Sequence, residues 1–377
     1  MTKLLTKLWA HRMQRLLALQ HTAAREMLGG NTAASAEVAD AGRRPAPAAA
    51  PRESRVRPRA AAWAAGEWRR AGHAVPATPE CASRTLNYGL YLPAGHAVEG
   101  LPLVVMLHGC KQSMDAFAEG TRMNLLADQQ GFAVVYPEQS GFAHPHQCWH
   151  WYDERDDAGG GEARAIVSLV DALIEEHGFD GSRVYLAGLS AGAGLATLLT
   201  MRWPERFAAV ALHSGPAFGE ANSGISALDV MRRGLRQEPV ELLEQHLGDD
   251  AHPGMPALVV HGDDDTVVAP VNAEQLTAQL LRLNGLADAR GVRPGVASWQ
   301  AERDGHVVHN YARRGESVVR LCRVADLDHA WSGGDDTVPF HSATGPDASA
   351  MIWSFFSRHR RDAAYGVVDW EAAGGAG

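Results

Sequence analysis

Cysteine is scarce in this chain, with four residues in 377, at positions 81, 110, 148 and 322. So few cannot supply a disulfide scaffold, and the stability of so long a chain must come from a packed core. Long apolar runs are missing as well. The longest among the first 28 residues is Leu16 to Leu19, far too short for a membrane span or a secretory signal core. No internal repeat and no phosphate-cradling glycine loop can be read. Aromatic residues make up 7% and do not interleave with the basic N-terminal residues, while the remainder is acidic. That combination argues against a nucleic-acid partner.

Charge is unevenly distributed. Residues 1–70 carry +8 and residues 71–377 carry −17. Within residues 1–28, Leu4, Leu5, Leu8, Trp9, Met13, Leu16 and Leu19 fall near one helical face, with Lys3, Lys7, His11, Arg15 and Arg25 opposite. The spacing predicts an amphipathic helix that lies on a polymer-granule or membrane surface, or packs on a protein. Residues 29–75, rich in Ala, Pro, Arg and Gly, read as a disordered linker. Residues 76–361 read as one domain and residues 362–377 as a loosely held tail.

Within that domain, buried-strand patterns alternate with helical ones. Strands are expected at Leu86–Leu92, Leu103–Leu107, Phe132–Tyr136, Val184–Ala187, Phe207–His213 and Ala257–Gly262. Helices are expected at Ala163–His177, Ala193–Trp203 and Ala348–His359, with a single helical insertion over Ala227–Leu247. A hairpin is expected from Val307–Tyr311 and Val318–Val324. Alternation of this kind implies an α/β fold with a mostly parallel sheet covered by helices on both faces.

The most informative stretch is Gly188-Leu189-Ser190-Ala191-Gly192, between a strand and a helix. Strand, G-x-S-x-G, helix is the nucleophile elbow of α/β-hydrolases. A turn that sharp needs small neighbours and lifts the serine hydroxyl above the sheet edge. An acid and a histidine should follow in that order. Asp263-Asp264-Asp265 come directly after a strand, so the acid lies among them, Asp265 first and Asp264 second. His329, in Asp328-His329-Ala330-Trp331-Ser332-Gly333-Gly334, is the expected base. Imidazole as a side-chain type titrates near neutral pH, which suits alternate proton uptake and release. The loop His108-Gly109-Cys110 follows another strand, so the backbone N–H groups of Cys110 and Ala191 are the expected oxyanion donors. Trp149, Trp151 and Trp331 are candidates to line the substrate cleft or to pack beneath its loops. His144, His146, Cys148 and His150 alternate along an extended segment, a spacing that lets metal ligands converge, but no second cluster matches them. A serine mechanism needs no metal and no cofactor.

Together Leu107-His108-Gly109-Cys110-Lys111-Gln112, Cys148-Trp149-His150-Trp151-Tyr152, the elbow, His261-Gly262-Asp263-Asp264-Asp265 and the His329 segment resemble the polyhydroxybutyrate depolymerase family of esterases. The resemblance covers about residues 85–358. It implies Ser190, Asp265 and His329 as the triad, and a Cys110–Cys148 disulfide. Where the family often carries Asn, this chain has His150. Cys81 and Cys322 are left either to pair or to remain free thiols. The resemblance implies hydrolysis of poly- or oligo-3-hydroxybutyrate esters; related feruloyl and acetylxylan esterases share the framework. A non-catalytic polymer-binding protein is the third reading, which the intact triad disfavours. The family and the cysteine pair imply an extracellular setting. The lack of a recognisable signal peptide favours a cytoplasmic, granule-associated one.

Overall fold

A computed structural model describes residues 64–361 apart from 77–83, 156, 249–251 and 289–290. The expected amphipathic helix, most of the expected linker, the tail and Cys81 lie outside the described residues. Fourteen strands are present among the described residues. They are β1 (Glu67–Val75), β2 (Arg84–Leu92), β3 (Leu103–Leu107), β4 (Ala133–Glu138), β5 (Val184–Leu189), β6 (Ala209–His213), β7 (Ala257–Gly262), the short β8 (Ala287–Asp288) and β9 (Gly291–Val292), β10 (Ala297–Arg303), β11 (His306–Arg313), β12 (Glu316–Val324), and the short β13 (Trp331–Ser332) and β14 (His341–Ser342).

Ten of these form one sheet in the order β1-β2-β4-β3-β5-β6-β7-β12-β11-β10. The six strands from β4 to β12 run parallel, and antiparallel pairs close both ends. Strands β3, β5, β6 and β7 are buried along their whole length. That explains why they read as continuous apolar runs rather than alternating ones.

The helices are α1 (Met114–Thr121), α2 (Met123–Gln130), α3 (Gly159–His177), α4 (Ala191–Arg202), α5 (Gly224–Arg233), α6 (Pro239–Leu247), α7 (Val271–Leu283) and α8 (Ala348–Phe356). One face of the sheet packs against α3, α4 and α7. Leu103, Val105 and Leu107 of β3 and Leu186 of β5 meet Leu169, Leu195 and Leu276 there. The other face packs against α1, α2 and α8 through Val104, Met106, Phe117, Ala127, Ile352 and Phe356. The alternation of β3 residues between the two faces is the period of a strand. Two-sided covering of a parallel sheet is the expected arrangement. Among the described residues no helix is long and apolar enough to cross a membrane.

Two expectations are corrected here. Residues 67–75, read as linker, form β1, which pairs with β2 over nine residues. Only Val75 of β1 is fully buried; backbone pairing holds this strand together with the Trp68 ring, which packs 5.5 Å from Tyr136, and the rest of its composition gives no apolar pattern. The insertion read as one helix over Ala227–Leu247 is two. Gly234, at φ 74°, ends α5, and Pro239 occupies the first turn of α6. A left-handed glycine stop and a proline start separate helices in this way.

The end of the described chain returns to the turn that feeds β5. Arg361 N–H donates to Ser182 O (2.9 Å), Arg360 Nε to Ser182 Oγ (2.7 Å), and Tyr185 Oη–H to His359 O (2.8 Å).

Candidate active site

Ser190 follows β5 and caps α4 with φ 56° and ψ −119°, a conformation that L-residues rarely adopt. Its glycine neighbours are required by contact. A Cβ on Gly188 would collide with the Gly192 backbone, and one on Gly192 with Leu107 O. Ser190 N–H donates to His213 O at the end of β6 (2.9 Å), which ties the elbow to the next strand.

Asp265 lies in the loop after β7 and is 3% exposed, whereas Asp263 and Asp264 are exposed. Asp263 pairs outward with Arg323 (2.6 Å). Asp265 Oδ1 accepts the N–H groups of Val267 and Val268 (2.9 and 2.8 Å), and Oδ2 lies 2.7 Å from His329 Nδ1. The structure thus brings one of the three aspartates to the histidine. Burial pushes the Asp265 carboxyl up, but the hydrogen bond and charge of His329, the charge of His261 and the Val268 N–H outweigh it. The net result is a carboxyl below its ordinary range, ionised at neutral pH. Since β12 neighbours β7, Asp264 N–H also reaches Leu327 O (3.1 Å), lacing the two loops together.

The loop after β3 meets the elbow from the opposite side. A Cβ on Gly109 would lie 3.4 Å from Ser190 Cβ. Gly109 N–H is taken up by Gln112 Oε1 (2.7 Å). Ala191 opens α4, where backbone N–H groups have no partner within the helix. Cys110 is bonded to Cys148 across 38 residues. His108 is buried; its Nδ1–H donates to Gly109 O and its Nε2 accepts from Gln139 N–H (2.8 and 3.0 Å). Burial holds this imidazole down to about 4, against the opposing pull of Gly109 O.

The three tryptophans considered for the cleft wall lie in the core instead. Trp149 donates through Nε1 to His108 O (3.1 Å). Trp151 lies against Gly194 of α4, where a Cβ would be 2.6 Å from its ring. Trp331 is fully buried, edge-on to Phe117, with Nε1 directed to Ser349 Oγ (3.3 Å). Large rings bury where their area stabilises most and their N–H finds an acceptor. Cys322 is a free buried thiol, pushed up to about 12 by burial.

The histidines of residues 144–150 serve the loop. His144 Nδ1 accepts from the N–H groups of His146 and Cys148, and His150 Nδ1 lies 2.6 Å from Glu162 Oε1. Among the described residues no cluster of three or more ligating side chains is arranged for a metal ion. Two cavities, of about 240 and 380 Å³, are lined by other parts of the domain, and neither lining includes a residue of the expected triad.

A profile of the Esterase PHB depolymerase family matches residues 86–302, more than half of the chain. The chain belongs to that family. Poly(3-hydroxyalkanoate) depolymerase C of Paucimonas lemoignei is 30% identical over 63% of this chain and 57% of its own length. Feruloyl esterase B of Thermothelomyces thermophilus is 32% identical over 49% of this chain and 66% of its own. The chain therefore spans between half and two thirds of these relatives. The acetyl xylan esterase from Aspergillus awamori superposes on 77% of this chain and 99% of its own with a TM-score of 0.59 at 18% identity. That likeness is one of fold, the α/β-hydrolase fold.

Two site-shaping residues escaped sequence reading. Glu162 is buried at the start of α3 and binds both the N–H and the ring of His150. Its only sequence signal is an acidic residue in the first turn of a helix. His213 is buried at the end of β6, and its signal is a polar residue closing an otherwise apolar strand.

Proposed function

We propose that this protein is a serine carboxylesterase that hydrolyses ester bonds of poly- or oligo-3-hydroxybutyrate through an acyl-enzyme. The observation that carries the reading is the Asp265–His329 hydrogen bond of 2.7 Å, in loops that leave the same edge of the parallel sheet as the strained Ser190 elbow.

In the first half-reaction Ser190 Oγ attacks the ester carbonyl while His329 Nε2 takes its proton. The Cys110 and Ala191 N–H groups receive the carbonyl oxygen as it gains charge. Asp265 keeps the His329 proton on Nδ1 and stabilises the imidazolium. The C–O bond to the alcohol then breaks, and His329 returns the proton to that alcohol. In the second half-reaction water takes the place of the alcohol, releasing the 3-hydroxyacid and restoring Ser190.

The likeness to feruloyl esterase B and to acetylxylan esterases supports feruloyl or acetyl esters as the second reading. Release of 3-hydroxybutyrate from its soluble linear trimer, with Ser190→Ala as control, tests the first. Rapid release lost in the variant supports it. No release by folded wild type, with turnover of methyl ferulate or an acetylated xylo-oligosaccharide, transfers the assignment to the second. On the polyester reading, basic residues 1–28 hold the enzyme at a polymer-granule or membrane surface, and their deletion lowers co-sedimentation with granules. The Cys110–Cys148 bond supports an oxidising, extracellular setting.

A further inference from the structure

One residue touches both halves of the candidate site without belonging to the triad. His213 closes β6. Its backbone oxygen accepts the N–H of Ser190 (2.9 Å). Its ring Nε2 accepts the N–H of Ser332 (3.1 Å), three residues beyond His329. Because Nε2 accepts, the ring proton sits on Nδ1, 3.1 Å from Ser214 Oγ. The ring is fully buried and stacks on Trp331 with centroids 5.0 Å apart and planes at 20°. Burial and the neighbouring His261 and His329 push this imidazole down to about 3, so it remains a neutral acceptor across the working range.

We propose that His213 is a positioning residue that sets the placement of the His329 loop relative to the Ser190 elbow. The proposal rests on the esterase reading above. The elbow hangs from the backbone of His213 and the base loop from its ring, so this one residue couples the two. The requirements are an acceptor at imidazole reach and a flat face for Trp331. Phenylalanine keeps the face and loses the acceptor. Glutamine keeps an acceptor and loses the face.

Misplacement by about 1 Å at a reacting centre costs on the order of 10²-fold in rate. His213→Phe should therefore lower kcat roughly 10- to 100-fold with KM within about twofold, the pattern of an interaction that matters in the transition state. His213→Gln should recover most of that loss. A purely structural role predicts a lower Tm with kcat per folded molecule unchanged, and that result overturns the proposal. Ser190→Ala, run in parallel, separates the two levels. Turnover surviving there overturns the esterase reading and the positioning role with it. Turnover lost there but of wild-type size in His213→Phe overturns the positioning role alone. Should His213→Phe fail to fold, imidazole ¹⁵N NMR of the wild type reads the same bond: an Nδ1–H tautomer supports the proposal and an Nε2–H tautomer overturns it.

Discussion

On one side of Ser190 the wall is backbone, fastened covalently: the His108–Cys110 loop is held by the Cys110–Cys148 bond and by Gln112. On the other side the wall carries the side chains proposed to pass a proton, and hydrogen bonds, ring packing and the buried Leu327 and Ala330 hold it without a covalent tie. Asp265, His213 and Trp331 supply the hydrogen bonds and the ring packing. The difference follows from the work proposed for each. Oxyanion donors act by staying still, whereas a base must give and take a proton in place. Rigidity by covalent closure suits the first, and a network of neutral and ionised hydrogen bonds suits the second.

Substitutions can break this comparison. Ser190→Ala, at the join of the two walls, should lower kcat by about 10⁵- to 10⁶-fold while circular dichroism and Tm stay near wild type. Asp265→Asn, in the hydrogen-bonded wall, should lower kcat by about 10⁴-fold by favouring the wrong tautomer of His329. Asp264→Asn should stay within a few-fold, and a reversal of that order in steady-state kinetics would reject Asp265 as the orienting acid. In the covalent wall, Cys110→Ser with Cys148→Ser should lower unfolding stability by about 3–4 kcal/mol in denaturant titrations, from the loop of 38 residues.

The smallest effect is expected at the outer end of that wall. The hydrogen bond to Glu162 raises the His150 imidazole above its ordinary value, burial opposing. A folded-state value above the unfolded one contributes stability that is complete below about pH 6.5 and is lost as pH rises through the folded value. The Tm advantage of wild type over His150→Asn should therefore be larger at about pH 5.5 than at about pH 8.5. An advantage that grows with pH would contradict the pairing.

The parallel strands and the elbow were legible because each is written in a short window: continuous apolar residues, then glycines around a serine. Asp265 was not separable from Asp263 and Asp264 by chemistry, because the loop after β7 decides which carboxyl turns inward. Helices α1 and α2 were missed since each has eight residues and Arg122, at φ 55°, stands between them. Helix α7 was missed despite Leu276, Leu280 and Leu283 at helical spacing. The tryptophans sit beside the motifs in sequence, yet their rings turn back into the core, a direction that spacing does not encode.

The clasp between residues 359–361 and the turn before β5 bears on synthesis. Ser182 and Arg360 are 178 residues apart. At about 5–20 residues per second, the strand that presents Ser190 waits roughly 10–40 s for the segment that closes over its entry. During translation the strand that carries Ser190 is therefore made midway through the parallel sheet, yet it gains its last partners only when the end of the domain emerges.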